Sequence, residues 1–300
     1  MRIAVTGSTG LIGSALVRSL TDDGHQVVRL VRRAPAERAD GSVEVRWNPP
    51  LRQIDRSGLE GLDAVVHLAG AGVGDRRWTA AYKQQIHDSR VLGTGTLAEA
   101  LAGLAEPPKV LVSGSAVGYY GQTGDKVIDE SAPAGDDFLA GVCAAWEEAA
   151  SPASEAGIRV AHARTGLVVG SGGGAWGKLF PLFRLGLGGR LGSGRQYWSY
   201  ISLQDEVAAL RHIITTESLS GPVNLTAPVP VTNAEVTAAM GAVLHRPTLC
   251  AVPGFALTAV LGEMAVEVVG SHRVVPGRLL DSGFSFRHTT VEQAIRAALR

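Results

Sequence analysis

The sequence predicts an α/β chain: a doubly wound parallel sheet with a smaller, mainly helical domain toward the C-terminus. Three observations carry this. Short β-rich apolar runs alternate with helical patterns through the first half, the order expected of a parallel sheet with helices on both faces. Three glycines at G-x-x-G-x-x-G spacing stand between the first such run and the first helical pattern. After Gly166 the alternation stops and glycine-rich, then helical, sequence takes over.

Taken in order, strands are expected at 2–6, 26–31, 64–68, 109–113 and 158–163, each built on a run such as Val27-Val28 or Val110-Leu111-Val112. Helices are expected at 11–23, 78–104 and 137–156. Right-handed crossovers then make the topology doubly wound. Residues 171–200 hold nine glycines, four cations (Lys178, Arg184, Arg190, Arg195) and no acid, which reads as a loop-rich segment crossing above the sheet. A strand-like stretch at 222–226 is expected to rejoin the sheet, and a mainly helical tail begins near 230. The expected division is a dinucleotide-binding domain over 1–165, with substrate-side segments and a small C-terminal domain over 166–221 and 227–300.

Composition narrows the function. The chain is 45% hydrophobic and 19% charged, an ordinary globular balance. Lys plus Arg equal Asp plus Glu at 28 each, so no global basic field collects nucleic acid or membrane. The two cysteines, Cys143 and Cys250, form no disulfide framework, and no Cys/His cluster has metal-ligand spacing. His67, His162 and His212 form no set. The opening Met1-Arg2-Ile3-Ala4-Val5 lacks a signal-peptide core, and Val252 to Gly270 carries Glu263 and Glu267, too short and too charged to span a bilayer. A cytoplasmic location is therefore expected.

The glycine triplet lies in Thr6-Gly7-Ser8-Thr9-Gly10-Leu11-Ile12-Gly13. Gly7 permits a tight turn, Gly10 lets the backbone approach a pyrophosphate, and Gly13 lets the helix pack closely on the sheet. Thr9 and the helix start at Leu11 and Ile12 complete the phosphate cradle, because a helix N-terminus offers unpaired N–H groups and a positive dipole end. This is the Rossmann-type arrangement. The second strand ends in Arg32-Arg33, with no carboxylate before Glu37. Arginine at that place suits the 2′-phosphate of NADP, whereas an acid would suit the ribose of NAD, so NADP is the expected cofactor.

With these residues placed, the sequence resembles the extended short-chain dehydrogenase/reductase superfamily. The glycine loop, Asp63-Ala64-Val65-Val66-His67-Leu68-Ala69-Gly70, Val91-Leu92-Gly93-Thr94 and Ser113-Gly114-Ser115-Ala116 carry the likeness. Further motifs resemble an atypical epimerase-family branch with a C-terminal domain of unknown role. They are Arg77-Trp78-Thr79, Ser89-Arg90-Val91, Ala116 to Gly121, Phe138-Leu139-Ala140 with Trp146-Glu147, Gly188-Gly189 with Gly192-Ser193-Gly194, Arg273-Val274-Val275-Pro276 and Gly283-Phe284-Ser285-Phe286. The resemblance implies a nicotinamide beside Leu68, Ala69 and Gly70, with Arg90 and Ser113 also against the cofactor.

It also implies a catalytic serine, a tyrosine with a lysine four residues later, and an asparagine on the central helix. Ser115 matches the serine. The tyrosine and lysine places fall on Phe138/Val142 or Leu139/Cys143, and Arg90 stands for the asparagine. A phenol needs a nearby cation to exchange its proton near neutrality, so Tyr119 or Tyr120, supported by Arg90 or Lys83, is the expected substitute. On the substrate side Arg195, Gln196 and Trp198 are expected to clamp a ligand, by guanidinium and by stacking. The expected function is an NADP-binding oxidoreductase or epimerase-like enzyme for a small substrate, with the cations allowing for an anionic group. A catalytically silent NADP(H)-binding regulator and a non-redox enzyme on the same fold remain alternatives, and a homodimer is left open.

Overall fold

The computed structural model describes residues 1–300. Its first strand, Arg2–Thr6 (β1), buries Ile3, Ala4 and Val5 almost completely, as a strand covered on both faces must. Helix Leu11–Asp22 (α1) packs Leu16, Val17 and Leu20 on the sheet at helical spacing. Then come Gln26–Val31 (β2), Val43–Asn48 (β3), Gln53–Ile54 (β4), Ala64–His67 (β5), Ala80–Ala102 (α2), Val110–Ala116 (β6), Phe138–Glu148 (α3), Ser151–Glu155 (α4) and Arg159–Thr165 (β7). The second half contains Leu167–Val169 (β8), Gly174–Arg184 (α5), Tyr197–Trp198 (β9), Tyr200–Ser202 (β10), Leu203–Thr215 (α6) and Gly221–Leu225 (β11). It closes with Val231–Thr232 (β12), Asn233–Leu244 (α7), Gly254–Leu261 (α8), Ala265–Val269 (α9), Gly277–Asp281 (α10) and Val291–Ala298 (α11).

Eight strands form one sheet in the order β11-β7-β6-β5-β1-β2-β3-β4. All neighbours are parallel except β3 and β4. The strand near 222–226 thus returns to the sheet edge beside β7. One core lies between the sheet and α1 with α6, around Val5, Val66, Val112, Leu16 and Leu210. The opposite core joins the sheet to α2 and α4 through Leu97, Leu101, Leu111 and Val160. A third holds α5, α7 and α11 together around Trp176, Phe180, Met240 and Ile295. No helix is long and apolar enough to cross a membrane.

Three local expectations change. β3 is an additional strand; Glu44 and Arg46 disguise it, and Glu44 is buried because Arg33 donates two hydrogen bonds to it at 2.6 Å. The helix expected over 137–156 breaks at Ala149–Ala150 into α3 and α4, where Pro152 starts the new helix. The glycine-rich 171–200 stretch is not simply a loop: α5 occupies its centre, anchored by fully buried Trp176 and Phe180.

Candidate functional site

The C-terminal ends of β1, β5 and β6 converge where a doubly wound sheet binds its ligand. Gly7 has φ of +64°, and a Cβ there would lie 2.9 Å from the Leu68 carbonyl carbon. A Cβ on Gly13 would come within 2.2 Å of the Gly7 carbonyl oxygen. Only glycine at both places lets the loop fold back under α1. Thr9 and Gly10 stand exposed at its tip, and Gly10, as N-cap, supplies no side chain. The first-turn N–H groups of Leu11, Ile12 and Gly13 therefore stay open to an anion. These residues fit a dinucleotide pyrophosphate.

The floor is pinned by side chains. The Thr6 hydroxyl accepts from the Leu68 and Ala69 N–H groups at 3.0 and 3.1 Å and meets His67 Nδ1 at 2.8 Å. Burial, reinforced by Arg90, pushes the His67 imidazole down to about 4, so it is neutral at physiological pH. Ser89 Oγ accepts from the Ala71 N–H at 3.0 Å. Gly170 passes over the Leu11 side chain, and Lys178 of α5 donates to the Gly74 carbonyl. The glycine-rich stretch thus bridges the two lips of the cofactor cleft.

Arg90, on α2, lies directly beneath Gly70; a Cβ on that glycine would be 3.4 Å from Cζ of Arg90. Nη1 donates to the carbonyls of Ala71 and Ile86, both at 3.0 Å, and the guanidinium stacks 4.9 Å from the Trp146 ring centre. No carboxylate pairs with it, and burial lowers its pKa. Beside it is the buried thiol of Cys143, pushed up to about 12 by burial despite Arg90, with Glu147 and Glu267 acting in the same direction as burial. The Ala116 backbone opposes burial and draws that pKa down.

Ser115, at the end of β6, donates to Glu147 Oε1 at 2.7 Å. Arg164 of β7 grips both oxygens of Glu147, each at 2.8 Å. Its Nη1 donates to the Tyr120 hydroxyl at 2.9 Å, which in turn donates to Asn224 Oδ1 at 2.7 Å. Burial alone would lower the Arg164 pKa, and Glu147 more than offsets it. The Tyr120 phenol is pushed up to about 12 by burial, against the pull of Arg164.

Several expected partnerships change. The cation beside the tyrosines is Arg164, 3.4 Å from the Tyr119 ring centre, not Arg90 or Lys83. Lys83 instead pairs with Glu263 and lies over Phe138. Tyr120 spends its hydroxyl inside the protein, while Tyr119 borders an open groove of about 670 Å³ along β7 with Arg159 and His162. Ser113 is fully buried beside His67, one residue pair below Ser115. Of the expected substrate clamp only Arg195 is exposed. Gln196 is buried, donating to the Leu191 carbonyl at 2.8 Å, and Trp198 sits in the third core. Neither can stack on a ligand there. Arg33, although exposed, is committed to Glu44, leaving Arg32 as the arginine of the dyad without a partner in the protein.

Glu147, Arg164, Asn224 and Glu44 escaped the sequence reading. For Arg164, Asn224 and Glu44 the signal was present, since a charged or amide side chain inside an otherwise apolar buried strand demands a partner; Glu147, on α3, is that partner for Arg164.

Comparison with known proteins agrees with this geometry. The model of the NAD dependent epimerase/dehydratase family matches residues 3–225, and a domain of unknown function (DUF1731) matches 252–298. The epimerase family protein MT2273 of Mycobacterium tuberculosis is 48% identical over 296 residues, covering 98% of this chain and 96% of its own. The human epimerase family protein SDR39U1, solved with NADPH, superposes with a TM-score of 0.91 at 34% identity, covering 99% of this chain and 98% of that one. The UDP-glucose and NAD complex of MoeE5, at 23% identity and a TM-score of 0.76, shares the fold. With its glycine cradle, eight-stranded sheet and helical C-terminal extension, the chain belongs to the NAD dependent epimerase/dehydratase family, as an atypical short-chain dehydrogenase/reductase.

Proposed function

We propose that the chain binds NADP(H) and acts as an oxidoreductase or epimerase-like enzyme on a small substrate at a centre formed by Arg90 and Ser115. The observation that carries this is Arg90, a half-buried guanidinium with no carboxylate partner beneath the backbone of Gly70 and Ala71. An unpaired buried charge is costly, and its remaining N–H groups are suited to a ligand oxygen that gains negative charge. When bound, the dinucleotide supplies hydride exchange at its nicotinamide.

The chain's own residues do the rest. Leu11, Ile12 and Gly13 present their N–H groups to the phosphates, and Thr9 and Gly10 line the approach. Arg32 pairs with the 2′-phosphate. Leu68, Ala69 and Gly70, with Ser113 behind them, form the wall for the nicotinamide. Arg90 holds the substrate oxygen. Ser115 has directed its own proton to Glu147, so it presents lone pairs and orients a substrate hydroxyl as acceptor. Tyr120 braces Arg164, and Tyr119 shields its outer face. Arg195 remains the exposed cation for an anionic group on the substrate.

Fluorescence titration tests the cofactor part: tighter binding of NADPH than NADH, with Arg32→Ala weakening NADPH at least tenfold and leaving NADH unchanged. A screen of small aldehydes and ketones tests the chemistry, with Arg90→Met abolishing NADPH consumption while the affinity for NADPH stays within a fewfold. Equal affinities, or an Arg90→Met variant as active as the wild type, contradict the proposal.

A further inference from the structure

Helix α8 has no charged residue, and of its side chains only Leu257 is buried. A helix apolar on every side is ordinarily enclosed, yet Phe255 and Val260 are 79% and 73% exposed. The last turn of α5 and the residues after it add Leu182, Leu185 and Leu187, and the approach to α8 adds Leu249, all exposed.

The two stretches form one surface. Arg246 Nε donates to the Arg184 carbonyl at 2.9 Å. The Val252 N–H donates to the Arg190 carbonyl at 2.8 Å, and the Gly192 N–H donates to the Val252 carbonyl at 2.9 Å. Between these bonds the backbones touch: a Cβ on Gly189 would lie 2.2 Å from the Cys250 carbonyl oxygen. Gly186 faces Pro247 in the same way, at 3.9 Å. Helix α8 starts two residues beyond Val252 and is about 12 Å long, so its exposed side chains continue the surface that the leucines begin.

The charge around this surface has one sign. Residues 171–204 and 236–262 contain no aspartate or glutamate, although acids and bases balance over the whole chain. Arg184, Arg190 and Arg246 are exposed there, and no carboxylate pairs with them. A twofold contact between copies of this face would set like patches, and so like charges, against one another. An anionic bilayer meets both needs: acyl chains for the apolar side chains and phosphates for the guanidinium groups.

We propose that this face docks on an anionic phospholipid bilayer. Leu185, Leu249 and Phe255 enter the boundary between headgroups and acyl chains, and Arg184, Arg190 and Arg246 pair with lipid phosphates. The chain lies on the membrane and does not span it with a helix, since none is long and apolar enough to cross. The same face adjoins the lip of the cofactor cleft, where Arg77 donates to the Ala259 carbonyl at 3.2 Å and Lys178 to the Gly74 carbonyl. Docking therefore sets the mouth of the cleft at the lipid surface.

The test is flotation of the full chain with two kinds of vesicle, pure phosphatidylcholine and phosphatidylcholine with about 30% phosphatidylglycerol. Wild type is expected to bind the anionic vesicles at least tenfold more tightly, and to be released in about 1 M salt, where charges are screened beyond about 3 Å. Leu185→Ser with Leu249→Ser and Phe255→Ser should weaken binding at least tenfold at an unchanged melting temperature. Arg184→Gln with Arg190→Gln should weaken it about fivefold per arginine. The native tryptophans are all buried, so the emission of a Phe255→Trp variant should shift to the blue on anionic vesicles alone. Wild type that floats with neither vesicle, or equally with both, overturns the proposal. So does binding that survives the triple serine variant, or a dimer of the wild type that this variant dissociates.

Discussion

Replacing Arg164 by methionine tests whether the buried network behind Ser115 is a structural necessity. The guanidinium is 3% exposed and makes three hydrogen bonds, two to Glu147 at 2.8 Å and one to the Tyr120 hydroxyl at 2.9 Å. Methionine keeps most of the aliphatic length and the contact with the Tyr119 ring, but it removes all three donors. Glu147, whose side chain is 12% exposed, is then left with the Ser115 hydroxyl alone. Removing one partner of a buried ion pair costs about 3–5 kcal/mol, because the other charge remains desolvated. Urea unfolding at pH 7 should show that loss through a lower midpoint at unchanged slope. Adding Glu147→Gln should recover at least half of it, since the stranded charge has gone. A single-variant loss under about 1 kcal/mol, or a double variant no better than the single, would refute the reasoning and place the pair among weakly coupled surface bridges.

Glu206 is fully buried, accepts from the Thr165 hydroxyl at 2.9 Å, and is pushed up to about 8 by burial. Between the ordinary carboxyl value and about 8 the folded chain keeps a proton that the unfolded chain has released, so stability declines as pH rises through that window. Glu206→Gln should remove this decline, with a gain relative to wild type at pH 8 over pH 4 of up to about 4 kcal/mol; parallel melting-temperature curves would count against it. Gly13→Ala drives a Cβ to 2.2 Å from the Gly7 oxygen, so NADPH affinity should drop at least tenfold in fluorescence titration. Gly95→Ala, in α2 with nothing within 4 Å of the added Cβ, serves as the contrast: it should stabilise by about 0.5–1 kcal/mol and leave that affinity unchanged.

The legibility of the sequence varied with the range of the interaction concerned. The runs Ile3-Ala4-Val5 and Val110-Leu111-Val112 marked central strands because a strand covered on both faces needs unbroken apolar sequence. Gly7 and Gly13 were legible because their constraint is local: each faces backbone within a few residues or the adjacent strand end. β3 was obscured because Glu44 reads as an exposed charge until Arg33 is known to cover it. Trp198 and Gln196 looked like surface clamps, although packing with α7 and α11 and a bond to Leu191 draw them inward. The cation beside the tyrosines was not legible, because Arg164 is brought to them from β7 by the sheet order.

By itself, then, the sequence determined the doubly wound sheet and the dinucleotide loop, which are written in periodicity, spacing and residue type, and its resemblance to the short-chain dehydrogenase/reductases marked the usual phenol–lysine pair as absent from α3. Only the tertiary structure decided which charges meet: Arg164 with Glu147 and Tyr120, Arg33 with Glu44, and Lys83 with Glu263. Those encounters join positions as far apart as 83 and 263. No local pattern encodes them, because they depend on which side chains the sheet order and the return of the C-terminal segment bring into the same water-poor space.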